Sequence, residues 1–271
     1  MTDDVSDNVT KVAINGAAGR MGKRLVALGS EDKELQLVAA LEFAEHPDLG
    51  KDAGVVAGVG EIGVLLSSGL QFDVDAVIDF SAPAGADGIL DSSLKQSAPL
   101  VLATTGLAED FGEKLKDAAE RIPIVFAPNM SLAVNLTMKL ASIAAEALKD
   151  YSPGADVEIL ERHHRFKEDS PSGTALKFGE LIKAVMGQEK EAHGRSGRPG
   201  ARPRNEIGYH AIRTGDNPGE HTIVFGLMGE TVELTVRATN RDCYALGALQ
   251  AAKFVAKQQP GLYSMFDVLG L

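Results

Sequence analysis

KVAINGAAGRMGKRLVALG, residues 11–29, decides the fold class. KVAIN is a short apolar run of the kind that forms a buried strand, and the segment beginning at Met21 has helical periodicity. Between them stand Gly16, Gly19 and Gly22, spaced G-x-x-G-x-x-G. Glycine at the first position permits a tight turn, and the small Ala17 and Ala18 let a ligand's phosphates approach the backbone. The helix start that follows presents N–H groups to an anion. Strand, glycine turn and helix in that order is where a dinucleotide-binding fingerprint belongs, with Ala18 at the second glycine position of the commoner G-x-G-x-x-G.

Four more apolar strands follow. QLVAALE (36–42), VDAVIDF (74–80), APLVLATT (98–105) and PIVFA (123–127) alternate with helical or mixed segments, including a charged amphipathic stretch over 109–121. Apolar strands alternating with helices predict a parallel sheet covered on both faces, and a Rossmann-like doubly wound α/β fold is the economical architecture. Glu42 ends the second strand 20 residues past Gly22, where an acid accepts from the adenosine ribose hydroxyls. The nucleotide-facing set is therefore Gly16, Ala17, Ala18, Gly19, Arg20, Met21 and Glu42. Two further strand ends open on the same crevice. Ala103, Thr104 and Thr105 are fit to line a nicotinamide ribose; Ala127, Pro128, Asn129 and Met130 follow the fifth strand, and the Asn129 amide suits a carboxamide. Phe43 follows Glu42 without a neighbouring basic residue, which does not favour a 2′-phosphate, although Arg20 is within reach of one. NADH is expected to serve at least as well as NADPH.

The chain changes character after Asn135. A long helix over about 132–149 leads to GADVEILERHH (154–164), a strand with partial alternation, and then to a helix over about 174–186. GQEKEAHGRSGRPGARPRNE (187–206) reads as a loop. IGYHAIRT, HTIVFGLM and ETVELTVRAT read as an antiparallel set joined by short turns, so a second α+β domain with a mainly antiparallel open sheet is expected. CYALGALQAAKFVAKQ (243–258) is a helix able to return to the first domain. The expected division is 1–131 with 243–271 for the nucleotide, and 132–242 for substrate binding and oligomerisation.

Composition narrows the partners. The 271 residues carry 27 basic and 38 acidic side chains, a net charge of −11, which argues against nucleic acid because phosphate binding needs a basic face. Residues 1–10 are acidic and polar and read as a disordered tail, not a signal peptide. No apolar run reaches the length of a membrane span. The single Cys243 cannot form an intrachain disulfide and reads as a small core residue. A cytoplasmic protein without membrane partners is expected.

If the ligand is an anion, its attraction must be local, and ERHHRFKEDSPSGTAL (161–176) is the obvious source. A strand through 155–164 would point His163 and His164 to opposite faces. Lys167 lies in the loop beyond, and Ser172, Gly173 and Thr174 start the next helix, where N–H groups and hydroxyls make an anion site. Proton donors and a carboxylate cradle thus sit within a dozen residues, which a hydride enzyme needs. No Cys or carboxylate cluster accompanies the histidines at ligand spacing, so no metal is expected.

This stretch resembles the E-x-H-H-x-x-K-x-D-[AS]-P-S-G-T-A signature of the 4-hydroxy-tetrahydrodipicolinate reductase family, formerly dihydrodipicolinate reductase. The resemblance extends through NGAAGRMG, DFSAP, TTG, APNMS, IRTGDNPGEHTIVF and MFDVLGL, nearly the whole chain. It implies hydride transfer from NAD(P)H to a cyclic unsaturated dicarboxylate, with loss of water from the hydroxylated form, on the diaminopimelate route to lysine. His163 becomes the proton donor or acceptor and Lys167 a second proton donor. His164, Gly173 and Thr174 would hold the substrate carboxylates. A homotetramer built through the second domain's sheet is also implied. Two positions depart from the pattern: Phe43 stands where NADPH-using members often carry Arg, and Phe166 replaces a third histidine of some members. Two other readings are an NAD(P)-dependent reductase of a different small acid, against which the PSGT cradle beside HH-x-x-K argues, and a dinucleotide sensor, which needs no proton donors.

Overall fold

The structure, a computed structural model, describes residues 9–71, 73–108 and 110–271. The expected tail therefore lies outside the described residues except for its last two, and Thr10 already belongs to a strand. Glu109, at the start of the expected amphipathic stretch, is likewise outside them. In chain order, the first elements are β1 (Thr10–Asn15), α1 (Arg20–Glu31), β2 (Leu35–Leu41), α2 (Ala53–Ala57), β3 (Leu66–Ser67), β4 (Ala76–Asp79) and α3 (Pro83–Gln96). Then come β5 (Leu100–Leu102), α4 (Phe111–Ala119), β6 (Pro123–Phe126), α5 (Leu132–Leu148), β7 (Asp156–His163), α6 (Gly173–Met186) and β8 (Lys190–His193). The chain closes with β9 (Glu206–Arg213), β10 (Glu220–Gly226), β11 (Thr231–Arg237), α7 (Asp242–Val255), β12 (Gly261–Tyr263) and α8 (Met265–Leu269).

Two compact units result, one reaching Leu132 and resuming at Asp242, the other spanning Ala133–Arg241. In the first unit seven strands lie in the order β12-β6-β5-β4-β1-β2-β3, and every pairing is parallel. Strand alternation separates two cores. Val12, Ile14 and Ile78 face the side covered by α1 and α7, while Ala13, Val77 and Leu100 face α3 and α4. The order reverses between β1 and β4, the switch point at which open α/β sheets bind ligands. Helix α7 returns to this sheet, as its apolar periodicity suggests. A Cβ on Gly247 would fall 1.8 Å from the Met130 carbonyl oxygen, so the helix can sit this low only with glycine there. Bidentate Arg24–Asp242 bonds and the Lys253 ammonium on Asp32 and Glu34 fix its two ends.

The second unit holds a five-stranded sheet in the order β11-β10-β7-β9-β8. β10 pairs antiparallel with β11 and β7, whereas β9 runs parallel to β7 and β8. The expected succession of three sequential antiparallel strands is thus corrected: β7 is inserted between β9 and β10. The stretch over 187–206 is not wholly loop either, because β8 forms the sheet edge. Helix α6 covers the inner face through Ala175, Phe178 and Ile182, all fully buried at helical spacing. Burying the Phe178 and Ile182 side chains stabilises the fold by about 1.5–3 kcal/mol each. Tyr209 of β9 meets α6 at Gly179, where a Cβ would fall 1.8 Å from the phenol oxygen.

Candidate active site

Each unit carries its own set of candidate residues. In the first, the chain leaves β1 at Asn15 and turns at Gly16, whose φ of 77° favours glycine. A Cβ there would lie 3.0 Å from the Ser81 Cα. Gly22 is tighter, since its Cβ would fall 2.0 Å from the Gly16 carbonyl oxygen. Gly19 caps α1 without any side-chain hydrogen bond, and the first turn contains no acidic residue. That arrangement leaves the first turn of α1 without an acid of its own and suits the pyrophosphate of a dinucleotide. Arg20 is exposed and Met21 half-buried. The Glu42 carboxylate turns back onto the glycine loop and accepts from the Ala18 N–H at 2.8 Å. Phe43 is exposed and meets the His46 ring edge-on at 5.1 Å.

The remaining strand-end residues divide into lining and scaffold. Thr105 and Pro128 are exposed and line a groove with Gly106 and Phe126. Thr104 is buried, and its hydroxyl donates to Asp79 at 2.6 Å. Asp79 is fully buried and also accepts from Asn15 at 2.7 Å, so it joins β1, β4 and the end of β5 at the switch point. Ala17, Ala103, Ala127 and Met130 are buried among the core side chains. The Asn129 side-chain Oδ1 accepts from the Ser131 N–H at 2.9 Å, forming a turn. Met130 thus supports the crevice from behind, while Thr104 joins Thr105 at the groove with its hydroxyl proton committed to Asp79. Cys243 is half-buried, and burial pushes its thiol pKa up, which makes the thiolate scarce.

In the second unit, alternation along β7 sends Val157, Ile159, Glu161 and His163 inward. The strand ends at His163, and His164 follows in the loop, half-buried, with its N–H on the Asn217 carbonyl. Its Nδ1 is buried and has no hydrogen-bond partner among the described residues. The basic run does not converge. Arg162 points to the outer face toward Glu220 at 3.8 Å, and Arg165 is exposed. Arg195 and Arg202, from the Arg-rich segment over 194–204, are bound to Glu158, which their charges hold at about 2 against the opposing effect of burial.

Glu161 is the hidden centre of the site. Its side chain is completely buried and accepts from His163 Nδ1 at 2.6 Å and from the Ser172 N–H at 3.1 Å. Both Arg213 Nη atoms reach its two oxygens at 2.7 Å. Burial would raise its pKa, but Arg213 and His163 outweigh that and hold it below the ordinary value. An ionised carboxylate only accepts, so His163 must carry its proton on Nδ1, leaving Nε2 for proton exchange. Burial lowers the His163 pKa, Glu161 works the other way, and Lys167 and Arg213 add to the lowering. The His221 ring lies edge-on to His163 at 5.2 Å; burial first, then the charge of His163, brings it down to about 4.

At the start of α6, Ser172 is buried. Its buried hydroxyl accepts from the Ala175 N–H at 3.1 Å and bonds His221 Nε2 at 2.9 Å. Its hydroxyl is thus the cap of the helix whose start was expected to bind substrate. Gly173 is exposed, with open space where a Cβ would stand, and Thr174 is half-buried. The loop's own Asp169 carboxylate lies here. Burial would raise its pKa, but Lys167 at 2.7 Å and the Gly173 N–H bring it below the ordinary value. The Lys167–Asp169 pair therefore stands beside the open space at Gly173. Sequence reasoning missed Glu161, Arg213 and His221, although the two-residue spacing of Glu161 and His163 on a strand was a usable signal.

Comparison with known proteins bears on this geometry. The sequence profile of "Dihydrodipicolinate reductase, N-terminus" matches residues 10–130, and that of "Dihydrodipicolinate reductase, C-terminus" matches residues 133–269. A 4-hydroxy-tetrahydrodipicolinate reductase of Rhodopirellula baltica is 58% identical over 96% of both chains. One from Alkalilimnicola ehrlichii is 45% identical over 97% of this chain and 99% of its own. A dipicolinate-bound dihydrodipicolinate reductase from Paenisporosarcina sp. TG-14 superposes with a TM-score of 0.77 at 26% identity, covering 96% of this chain and 98% of that one. An amine dehydrogenase from Mycobacterium smegmatis, at 13% identity and a TM-score of 0.63, shares the fold alone. With both profiles covering almost all of its length, the chain belongs to the dihydrodipicolinate reductase family.

Proposed function

We propose that the protein reduces 4-hydroxy-tetrahydrodipicolinate to tetrahydrodipicolinate with NAD(P)H, in the diaminopimelate route to lysine. The family membership and the names of the curated relatives support the reaction. The single observation that carries the site assignment is Glu161, which ties His163 to the start of α6 beside the Lys167–Asp169 pair. A substrate carboxylate takes the open space at Gly173, with Thr174 beside it and the His164 Nδ1, unpartnered among the described residues, available to it or to the second carboxylate.

A bound nicotinamide supplies the hydride. The glycine turn at Gly16 and the open start of α1 hold its pyrophosphate, Glu42 the adenosine ribose, and Thr105 and Pro128 line the nicotinamide end. As hydride adds to the electron-poor ring, negative charge develops on the substrate. His163 donates a proton from Nε2 to that centre, and the Lys167 ammonium stabilises the charge and serves as the second proton donor. Loss of water from the hydroxylated ring needs the same acid. Phe43 supports use of NADH at least as well as NADPH, since no cation follows Glu42 to meet a 2′-phosphate.

The same reading divides the labour between residues 1–131 with 243–271, which carry the cofactor, and 132–242, which carry substrate and subunit contacts. The outer sheet face presents exposed Leu160 and Ile212 and a Thr222–Thr235 hydroxyl pair, supporting a homotetramer formed through this sheet. The enzyme is placed in the cytoplasm, where its lone cysteine needs no oxidising environment. The test is oxidation of NADH and NADPH by freshly generated substrate, with wild type beside His163→Ala and Lys167→Ala. Turnover by wild type and a loss of about a hundredfold in kcat for each variant support the reading. Wild-type protein without turnover refutes it.

A further inference from the structure

Glu161 has no role in the family signature as read from the sequence, yet it contacts more of the site than any residue that has one. Its four hydrogen bonds come from three different places: His163 on its own strand, both Nη atoms of Arg213 on β9, and the Ser172 N–H at the start of α6. Arg213 also donates to the Asp169 carbonyl, fixing the loop that carries Lys167. A buried ion pair is a costly way to hold a fold together, because packed apolar side chains of the same volume do as well or better. The geometry gives this pair another use. A carboxylate that also receives Arg213 at the same oxygen can only accept from His163 Nδ1.

We propose that Glu161 is a positioning residue, clamped by Arg213, that fixes the His163 tautomer with Nε2 as the working nitrogen and locks the proton donor to the substrate cradle at Ser172. The inference rests on the preceding reading of His163 as the proton donor. Glu161 touches no substrate atom in this scheme and acts through His163. In Glu161→Gln the amide nitrogen, if it faces His163, becomes the donor, and the ring proton moves to Nε2. If the amide oxygen faces His163, its nitrogen meets the donors Arg213 and Ser172 instead. Either arrangement breaks the cluster.

The groups facing His163 are Glu161 on β7, Lys167 in the following loop, Arg213 on β9 and His221 on β10. Only Glu161 among them favours the imidazolium. Its neutralisation therefore moves the His163 pKa down, and activity that needs the imidazolium is lost at a lower pH.

The experiment combines kinetics with imidazole nitrogen NMR of 15N-histidine-labelled enzyme. Glu161→Gln is expected to lower kcat about a hundredfold, with the descending limb of its pH profile moved at least one pH unit toward acid. The double variant with His163→Ala should be no slower than His163→Ala alone, since Glu161 acts through that ring; a merely structural role would multiply the two losses. Glu161→Asp, which keeps the charge, should recover at least tenfold over Glu161→Gln. In wild type at high pH, NMR should place the His163 proton on Nδ1; that measurement needs no variant and decides the matter if Glu161→Gln does not fold. A proton on Nε2, or an unshifted pH profile with multiplicative losses, overturns the proposal. If wild type shows no turnover, the preceding reading fails, and the tautomer still decides whether Glu161 positions the ring.

Discussion

Gly173→Ala separates ligand crowding from damage to the fold. Gly173 is the first residue of α6, its φ is not positive, and a Cβ built on it meets no atom within 4 Å. Alanine therefore fits the free protein, and the shorter list of unfolded conformations stabilises it by about 0.4–1 kcal/mol. The open space is the place proposed for a substrate carboxylate on the Gly173 N–H. A methyl group there displaces that carboxylate from a charge-assisted hydrogen bond of about 1.5–3 kcal/mol. Each 1.4 kcal/mol is tenfold, so KM should rise by about ten- to a hundredfold. The assay pairs urea unfolding with steady-state kinetics. Stability unchanged or raised with a higher KM is the expected result. An unchanged KM would refute the placement of the carboxylate, because the same methyl cannot leave a carboxylate in that space undisturbed.

Other expectations follow from single contacts. Gly22→Ala puts a Cβ 2.0 Å from the Gly16 carbonyl oxygen, forcing the turn open; unfolding titrations should show a loss of about 1–3 kcal/mol, and NADH fluorescence titration a weaker Kd. Phe43→Arg places a guanidinium at an exposed position beside Glu42; the ratio of NADPH to NADH affinity should rise about tenfold, for about 1.4 kcal/mol of new charge pairing, with stability unchanged. His221 is depressed from 6.5 to about 4 by burial first. Its unfolded form takes up a proton before its folded form does, so its stabilisation is present above pH 6.5 and lost as pH falls toward 4. The loss amounts to about 3 kcal/mol, and unfolding at pH 7 and 4.5 should show a smaller pH dependence in His221→Gln than in wild type.

The first unit was largely legible because local signals agree there. An apolar run, a glycine turn and a helical period identify β1 and α1, and an acid at the end of β2 supplies an independent fourth sign. Strand ends were a coarser guide, since they place the buried Met130 at the crevice although it packs in the core; Asp79, which takes the Thr104 hydroxyl, enters from β4. The second unit was harder for two reasons. β8 reads Lys-Glu-Ala-His with no apolar face and lies between Gly187 and Gly194, so only its pairing with β9 makes it a strand. β7 is the neighbour of both β9 and β10, which sequence order conceals. The charge run over 161–167 read as one basic patch, yet strand alternation turns Arg162 to the far face. Glu161 and His163 share a face by the period of two, but their partner Arg213 is 52 residues away, and no local pattern announces it.

The most direct test of the central claim follows the hydride itself. Stereospecifically 4-deuterated NADH, both epimers in turn, is mixed with freshly generated 4-hydroxy-tetrahydrodipicolinate and wild-type enzyme, and the product is weighed by mass spectrometry. The account predicts NADH oxidation and tetrahydrodipicolinate one mass unit heavier from one epimer only. Oxidation without label in the product from either epimer, or no oxidation with NADH or NADPH, would contradict it.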